Sequence, residues 1–157
     1  MPVTLPVRRR PCSRSRSGAV LVIFAASLLT FISFMALVID VGYLYSMKAR
    51  IQGVCDATAI ATLIELDPAQ PPAAQSRFAV ALARKLLEVN GLDAHNYQIR
   101  LDPDPAGAPP HLSIGGREEM NAFFAQAIGR RTFVVGVYAR AAAIKRPDGN
   151  FDATLVE

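Results

Sequence analysis

The sequence predicts an α+β protein with a single N-terminal transmembrane helix extended into a long amphipathic helix. A small three-stranded antiparallel sheet with packed helices follows. Three observations carry this expectation. Residues 18–39 form 22 consecutive positions without a charge, dominated by Ala, Val, Leu, Ile and Phe. After Asp40 the apolar positions Leu44, Met47, Ile51, Val54, Thr58 and Ala61 recur at alternating spacings of three and four, the seam of a one-sided helix. Beyond the proline-rich break Asp67–Pro72, short stretches alternate apolar and polar residues in the manner of half-buried strands.

Charge gives the first element a direction. The chain of 157 residues has a formal net charge of +4, but residues 1–17 alone hold five Arg and no acid. The rest of the chain carries 12 basic and 13 acidic residues. The basic character therefore belongs to a leader rather than to a nucleic-acid-binding surface. With the arginines before the span and Asp40 directly after it, the positive-inside rule places residues 1–17 in the cytoplasm and 41–157 outside. A helix of 22 residues is roughly 33 Å long, matching a hydrocarbon core of roughly 30 Å. Inside it Ser27, Thr30 and Ser33 can bond back to the preceding turn. A buried core helix would show a polar face, and this one shows none. An ordinary cleaved signal would have a shorter apolar run and an A-x-A site, which Val41–Met47 does not supply.

Gly18 and Ala19 follow the basic leader directly, the layout of a prepilin-type cleavage point in which the helix stays in the membrane. The bland alternative makes Gly18 a small residue at the interface. Cys12 and Cys55 would lie on opposite sides of the bilayer and cannot pair. Cys55 reads as a small apolar residue on a helix, with an intermolecular disulfide as the alternative.

The uncharged run and the seam join without an intervening Pro, so residues 18–66 read as nearly one helix, ending before Asp67-Pro68. The expected organisation is a leader (1–17), a transmembrane helix (18–40), a helical arm (41–66), an extracytoplasmic α+β domain (67–145) and a tail (146–157). Within the domain, Phe78, Leu82, Leu86 and Val89 suggest an amphipathic helix stopped at Asn90-Gly91. Tyr97–Leu101 and His111–Ile114 read as a hairpin around the loop Asp102–Pro110. Glu118–Ile128 reads as a short helix with Met120, Phe123, Phe124 and Ile128. Thr132–Ile144 reads as a strand with Phe133, Val135, Val137 and Ala139 inward and Val134, Tyr138 and Arg140 outward. The tail shows no periodicity.

The sequence holds no nucleophile motif, phosphate loop, dinucleotide fingerprint or paired metal ligands. His95 and His111 stand alone. Glu118 and Glu119 point apart and cannot form an acid–base pair. Asp102-Pro-Asp104-Pro-Ala106-Gly107 copies part of a calcium loop but lacks donors at Ala106 and Ser113, and Asp148-Gly-Asn150-Phe-Asp152 breaks the pattern after its third donor. The expectation is a non-enzyme with no catalytic residue, cofactor or metal, and no nucleic-acid or small-molecule partner.

Three separately placed motifs carry a resemblance. Gly18-Ala-Val-Leu-Val-Ile-Phe-Ala, then Asp40-Val-Gly-Tyr-Leu-Tyr, then Arg50-Ile-Gln-Gly-Val-Cys-Asp56-Ala-Thr-Ala-Ile-Ala resemble the N-terminal region of TadG-like proteins of the Tad (Flp) pilus-assembly system. A weaker echo lies in Phe123-Phe124, Gly129 and the stretch Ala139–Ala143. The resemblance implies a pilin-like plan and an inner-membrane, single-pass protein. It also implies association with other Tad/Flp assembly proteins or pseudopilins, with membrane lipid around the span. The family motifs would make Asp40, Gly42, Asp56, Ala57, Ala59 and Ala61 interaction residues, the three alanines admitting a partner helix closely. Asp40 has two readings: solvation by headgroup water, or pairing with a partner's Lys or Arg or capping a break near Gly42. Asp56 reads as a solvated residue that also contacts a neighbour. Related pseudopilins carry a Glu where this chain has Ile23, which favours a membrane-resident accessory protein over a minor pilin cleaved after Gly18. Larger relatives carry a domain with an Asp-x-Ser-x-Ser metal site, a motif not found here, so the chain reads as the anchor and first domain alone.

Overall fold

The computed structural model describes residues 17–102, 110–129, 131–147 and 149–156. The leader with Cys12 and the centre of the Asp102–Pro110 loop, including Asp104, lie outside the described residues.

Helix α1 runs unbroken from Ser17 to Ile64, 48 residues or roughly 72 Å at the α-helical rise. It is the one helix among the described residues long and apolar enough to cross a membrane, and it fits a single-pass anchor. Ser27, Thr30 and Ser33 each donate to the carbonyl four residues back, at 2.9 Å, so the span exposes no free hydroxyl hydrogen. The helix passes through Gly42 and Gly53 without a break. It stops short of Pro68, and the Leu66 amide bonds the Leu63 carbonyl at 3.3 Å.

Helix α2 spans Pro72–Val89, with Pro in its first turn where a missing N–H costs nothing. Asn90-Gly91 ends it as expected. Gly91 adopts φ 80°, the left-handed conformation that a Cβ disfavours, and the Leu92 amide returns to the Leu87 carbonyl.

The sheet has four strands rather than three, in the order β1-β2-β3-β4 and antiparallel throughout. Strand β1 is Tyr97–Asp102, β2 His111–Asn121, β3 Thr132–Lys145 and β4 Phe151–Leu155. The tail without periodicity thus supplies β4, which pairs Phe151 with Lys145 and Leu155 with Ala141. Five residues leave little room for a pattern, and their pairing partner decides their state. The expected helix Glu118–Ile128 is also corrected. Glu118–Asn121 continue β2 opposite Val135–Thr132, and only Ala125–Ile128 form a 3-10 turn. Glu118, Glu119 and Met120 favour helix locally, but a ladder against the Val-rich start of β3 outweighs that preference.

The core lies between α1, α2 and the inner face of the sheet. Ile51, Cys55, Ala59 and Leu63 of α1 share it with Leu112, Ile114, Val135, Val137, Ala139, Ala141 and Ala143. The inward alternation expected for β3 holds along the strand. In α2 the buried stripe is Ala79, Ala83 and Leu87, not the larger residues named from the sequence. Ala79 and Ala83 share that stripe with Leu87, while Phe78 and Val89 stay exposed outside it.

Candidate interaction sites

The first site forms where the apolar span ends. Asp40 is buried, with 4% of its surface exposed, in a helix whose preceding 22 residues are nearly all bare. What covers it is the loop after β2. Its Oδ1 accepts the backbone N–H of Phe123 at 3.0 Å and of Phe124 at 3.1 Å, and its Oδ2 accepts Phe124 at 3.1 Å and Ala125 at 2.7 Å. A carboxylate placed against consecutive amides satisfies donors that a loop otherwise leaves open. Tyr43, one turn on, meets Phe123 edge-to-face with centroids 5.0 Å apart. The loop is closed by Ala122 N–H to the Arg131 carbonyl at 3.1 Å and by the Gln126 side-chain amide to the Ala122 carbonyl. The readings of Asp40 as a headgroup-solvated residue and as the cap of a break near Gly42 are therefore corrected. It is neither solvated nor facing a break at Gly42, because it clamps a loop of its own chain 83 residues away.

The second site is the arm. Gln52 reaches across to β3, donating to the Tyr138 carbonyl at 2.8 Å and accepting the Tyr138 N–H at 3.4 Å. This is where β4 runs out: the Val156 amide takes the Arg140 carbonyl, and the next edge position falls to Gln52. A side-chain amide there replaces a missing strand and blunts the open edge. Gln52 also donates to Asp56 at 2.9 Å, so Asp56 is a half-buried member of this relay.

The three alanines do not share a face. Ala57 is exposed, Ala59 is fully buried in the core, and Ala61 is half-buried. Successive residues turn 100° on a helix, so positions two apart point nearly opposite ways. Ala59 is already occupied by the protein's own domain. Ala61 lines a distal groove of about 470 Å³ with Ile64, Phe78, Leu82 and Leu86. Gly18 and Ala19 are exposed in the first turn of α1, and no atom lies within 4 Å of the Cβ position of Gly18 or Gly42.

Cys55 is fully buried, which excludes the intermolecular disulfide. Burial, with the charges of Asp56 and Glu118, pushes its thiol up to about 11. Glu118, on the inner face of β2, accepts the Asn96 side-chain amide at 3.4 Å, while its other oxygen and the buried Tyr97 hydroxyl lack partners among the described residues. Burial and the Glu118 charge raise the Tyr97 phenol as well. Glu118 and Glu119 still point apart, now as neighbours on a strand. In the C-terminal hairpin Asp152 bonds Arg146 at 3.0 Å, and that bond holds its carboxyl below the ordinary range; Asp148 lies outside the described residues.

Sequence reasoning missed the Asp40 clamp and the Gln52 edge bond. The only signal for the first is an acid at the span boundary together with a Phe-Phe pair far along the chain, which no local pattern links.

No curated protein and no solved structure matches the chain. Residues 18–70, covering nearly all of α1 and the turn beyond it, match the family model Tad, described as "Putative Flp pilus-assembly TadE/G-like", so this third of the chain is similar to that family.

Proposed function

We propose that the protein is a bitopic inner-membrane accessory protein in assembly or anchoring of a Tad/Flp-type pilus, acting by protein–protein association rather than catalysis. The observation that carries this reading is the coincidence of the family match with one continuous helix. The matched residues 18–70 hold a bare apolar half and an arm that a folded domain clasps. Residues 1–17 stay in the cytoplasm and 41–157 face outward, by the charge asymmetry across the span. The inner seam of the arm is consumed by the protein's own sheet. The span, with Ala25, Ala26, Thr30 and Ser33 among its small and hydroxyl residues, is left for lateral packing against other assembly proteins or pseudopilins.

Pili are counted by electron microscopy in a deletion strain and its complemented control. Loss of pili or of their anchorage, restored on complementation, supports the role; unchanged pili overturn it. A topology reporter fused after Leu66 must report the outer side of the membrane. The second reading, a minor pilin-like subunit, draws on the exposed Gly18-Ala19 peptide at the start of α1. Intact mass decides it, since cleavage leaves a chain beginning at Ala19.

A further inference from the structure

The exposed apolar residues of the domain are not scattered evenly. Phe123 and Phe124 are 61% and 49% exposed, although they sit in a loop whose backbone is firmly held. The residue holding it is Asp40, the first charge after the span. Hydrogen bonds of 2.7–3.1 Å leave the loop no freedom to lie at a different depth from that carboxylate. Exposed Val41 and Tyr45 on α1 and exposed Val134 on β3 line an apolar groove of their own where α1 leaves the apolar run. Exposed Arg131, whose carbonyl accepts the Ala122 N–H, stands at the loop and exposed Lys48 lines that groove, cations of the kind that meet anionic headgroups.

We propose that the loop Ala122–Gly129 is a second membrane contact, with Phe123 and Phe124 inserted at the headgroup–acyl boundary and Asp40 setting their depth. The inference rests on the reading of residues 18–39 as a membrane span. A lipid surface is the occupant because the geometry fixes the depth: the bonds tie both rings to the point where the hydrocarbon core ends. Aromatic side chains are favoured at that boundary. The domain is then no free body on a tether. One end of its sheet rests on the bilayer, and the distal groove between α1 and α2 faces away from it.

The chain has no Trp, so each introduced Trp is the sole indole reporter. Full-length Phe31→Trp, Phe123→Trp and Phe78→Trp proteins are reconstituted into phosphatidylcholine–phosphatidylglycerol vesicles brominated near the headgroup end or near the middle of the acyl chains. Phe78 is the matched control: 45% exposed, it lines the groove near Ile64, roughly 36 Å along α1 from Asp40. Phe31→Trp is quenched by the deep bromine. Phe123→Trp loses more than half its emission to the shallow bromine and is blue-shifted, while Phe78→Trp is unaffected. If Phe31→Trp is quenched but Phe123→Trp behaves like Phe78→Trp, the span stands and the loop proposal fails. A blue-shifted but unquenched Phe123→Trp means that protein covers the ring, which also overturns the proposal. An unquenched Phe31→Trp removes the span reading itself. Adding Asp40→Ala to Phe123→Trp abolishes the shallow quenching; if quenching persists, Asp40 does not set the depth.

Discussion

One continuous helix has two halves that answer to different rules. From Val20 to Ile39 the large apolar side chains of α1 are all at least half exposed. From Ile51 to Leu66 the same kinds of residue are divided, with Ile51, Cys55, Ala59 and Leu63 buried and Gly53, Ala57 and Ile64 exposed. No cap, proline or break separates the halves. Burial in the arm is conferred by the sheet laid against it, so apolar content alone does not say where the core of this protein lies. Asp40 marks the changeover, since it is the first polar side chain that the domain reaches.

The contrast can be broken most directly by side-chain truncation. Leu63→Ala, at a fully buried site, costs the domain about 2–5 kcal/mol. Leu29→Ala, 69% exposed in the span, changes it by less than about 0.5 kcal/mol. Denaturant unfolding of the full chain in micelles, followed by circular dichroism, checks both, and equal losses would dissolve the distinction between the halves.

Glycines sharpen it next. A Cβ on Gly116 would lie 2.7 Å from Tyr97 Cε1 and 2.8 Å from the Asn96 carbonyl oxygen. Gly116→Ala therefore destabilises the domain by about 1–3 kcal/mol. Gly53→Ala meets nothing within 4 Å on the outer side of the arm and stabilises the helix by about 0.5–1 kcal/mol. The same unfolding curves should move in opposite directions.

Removing the edge bond with Gln52→Ala should cost about 1 kcal/mol. It should also raise amide exchange at Tyr138, measured by hydrogen–deuterium exchange, without altering exchange at Phe123–Ala125.

The effect furthest from neutral conditions is a pH dependence. The Cys55 thiol rises from 9.0 to about 11 on folding. Between those values the unfolded chain has released its proton and the folded chain has not, so domain stability falls as pH rises through that window. Cys55→Ala flattens the slope. In the folded protein the thiol should resist maleimide at pH 8, a condition read by mass shift.

The elements with strong periodicity were legible. The long helix, its end before Pro68, the Asn90-Gly91 stop and the alternation of β3 all follow from local patterns, as does the first hairpin. The errors share a cause. Phe151–Leu155 become a strand, and Glu118–Asn121 a strand rather than a helix, because partners on β3 pair with them. In α2 the larger apolar residues Phe78, Leu82, Leu86 and Val89 suggested the buried face, but the face turned inward is that of Ala79, Ala83 and Leu87, one position along. The family motifs marked Asp40 as special without saying what it binds.

By itself the sequence determined the long apolar helix that fits a membrane anchor, its charge asymmetry, the continuous arm and an α+β domain beyond it, because each is written in spacings of a few residues or in an uninterrupted run. Only the tertiary structure decided the four-stranded sheet, the burial of Ala59 rather than Ala57, the Gln52 edge bond and the Asp40 clamp. Those depend on residues up to 86 positions apart in the chain, and a hydrogen bond across that separation leaves no periodic trace in either segment.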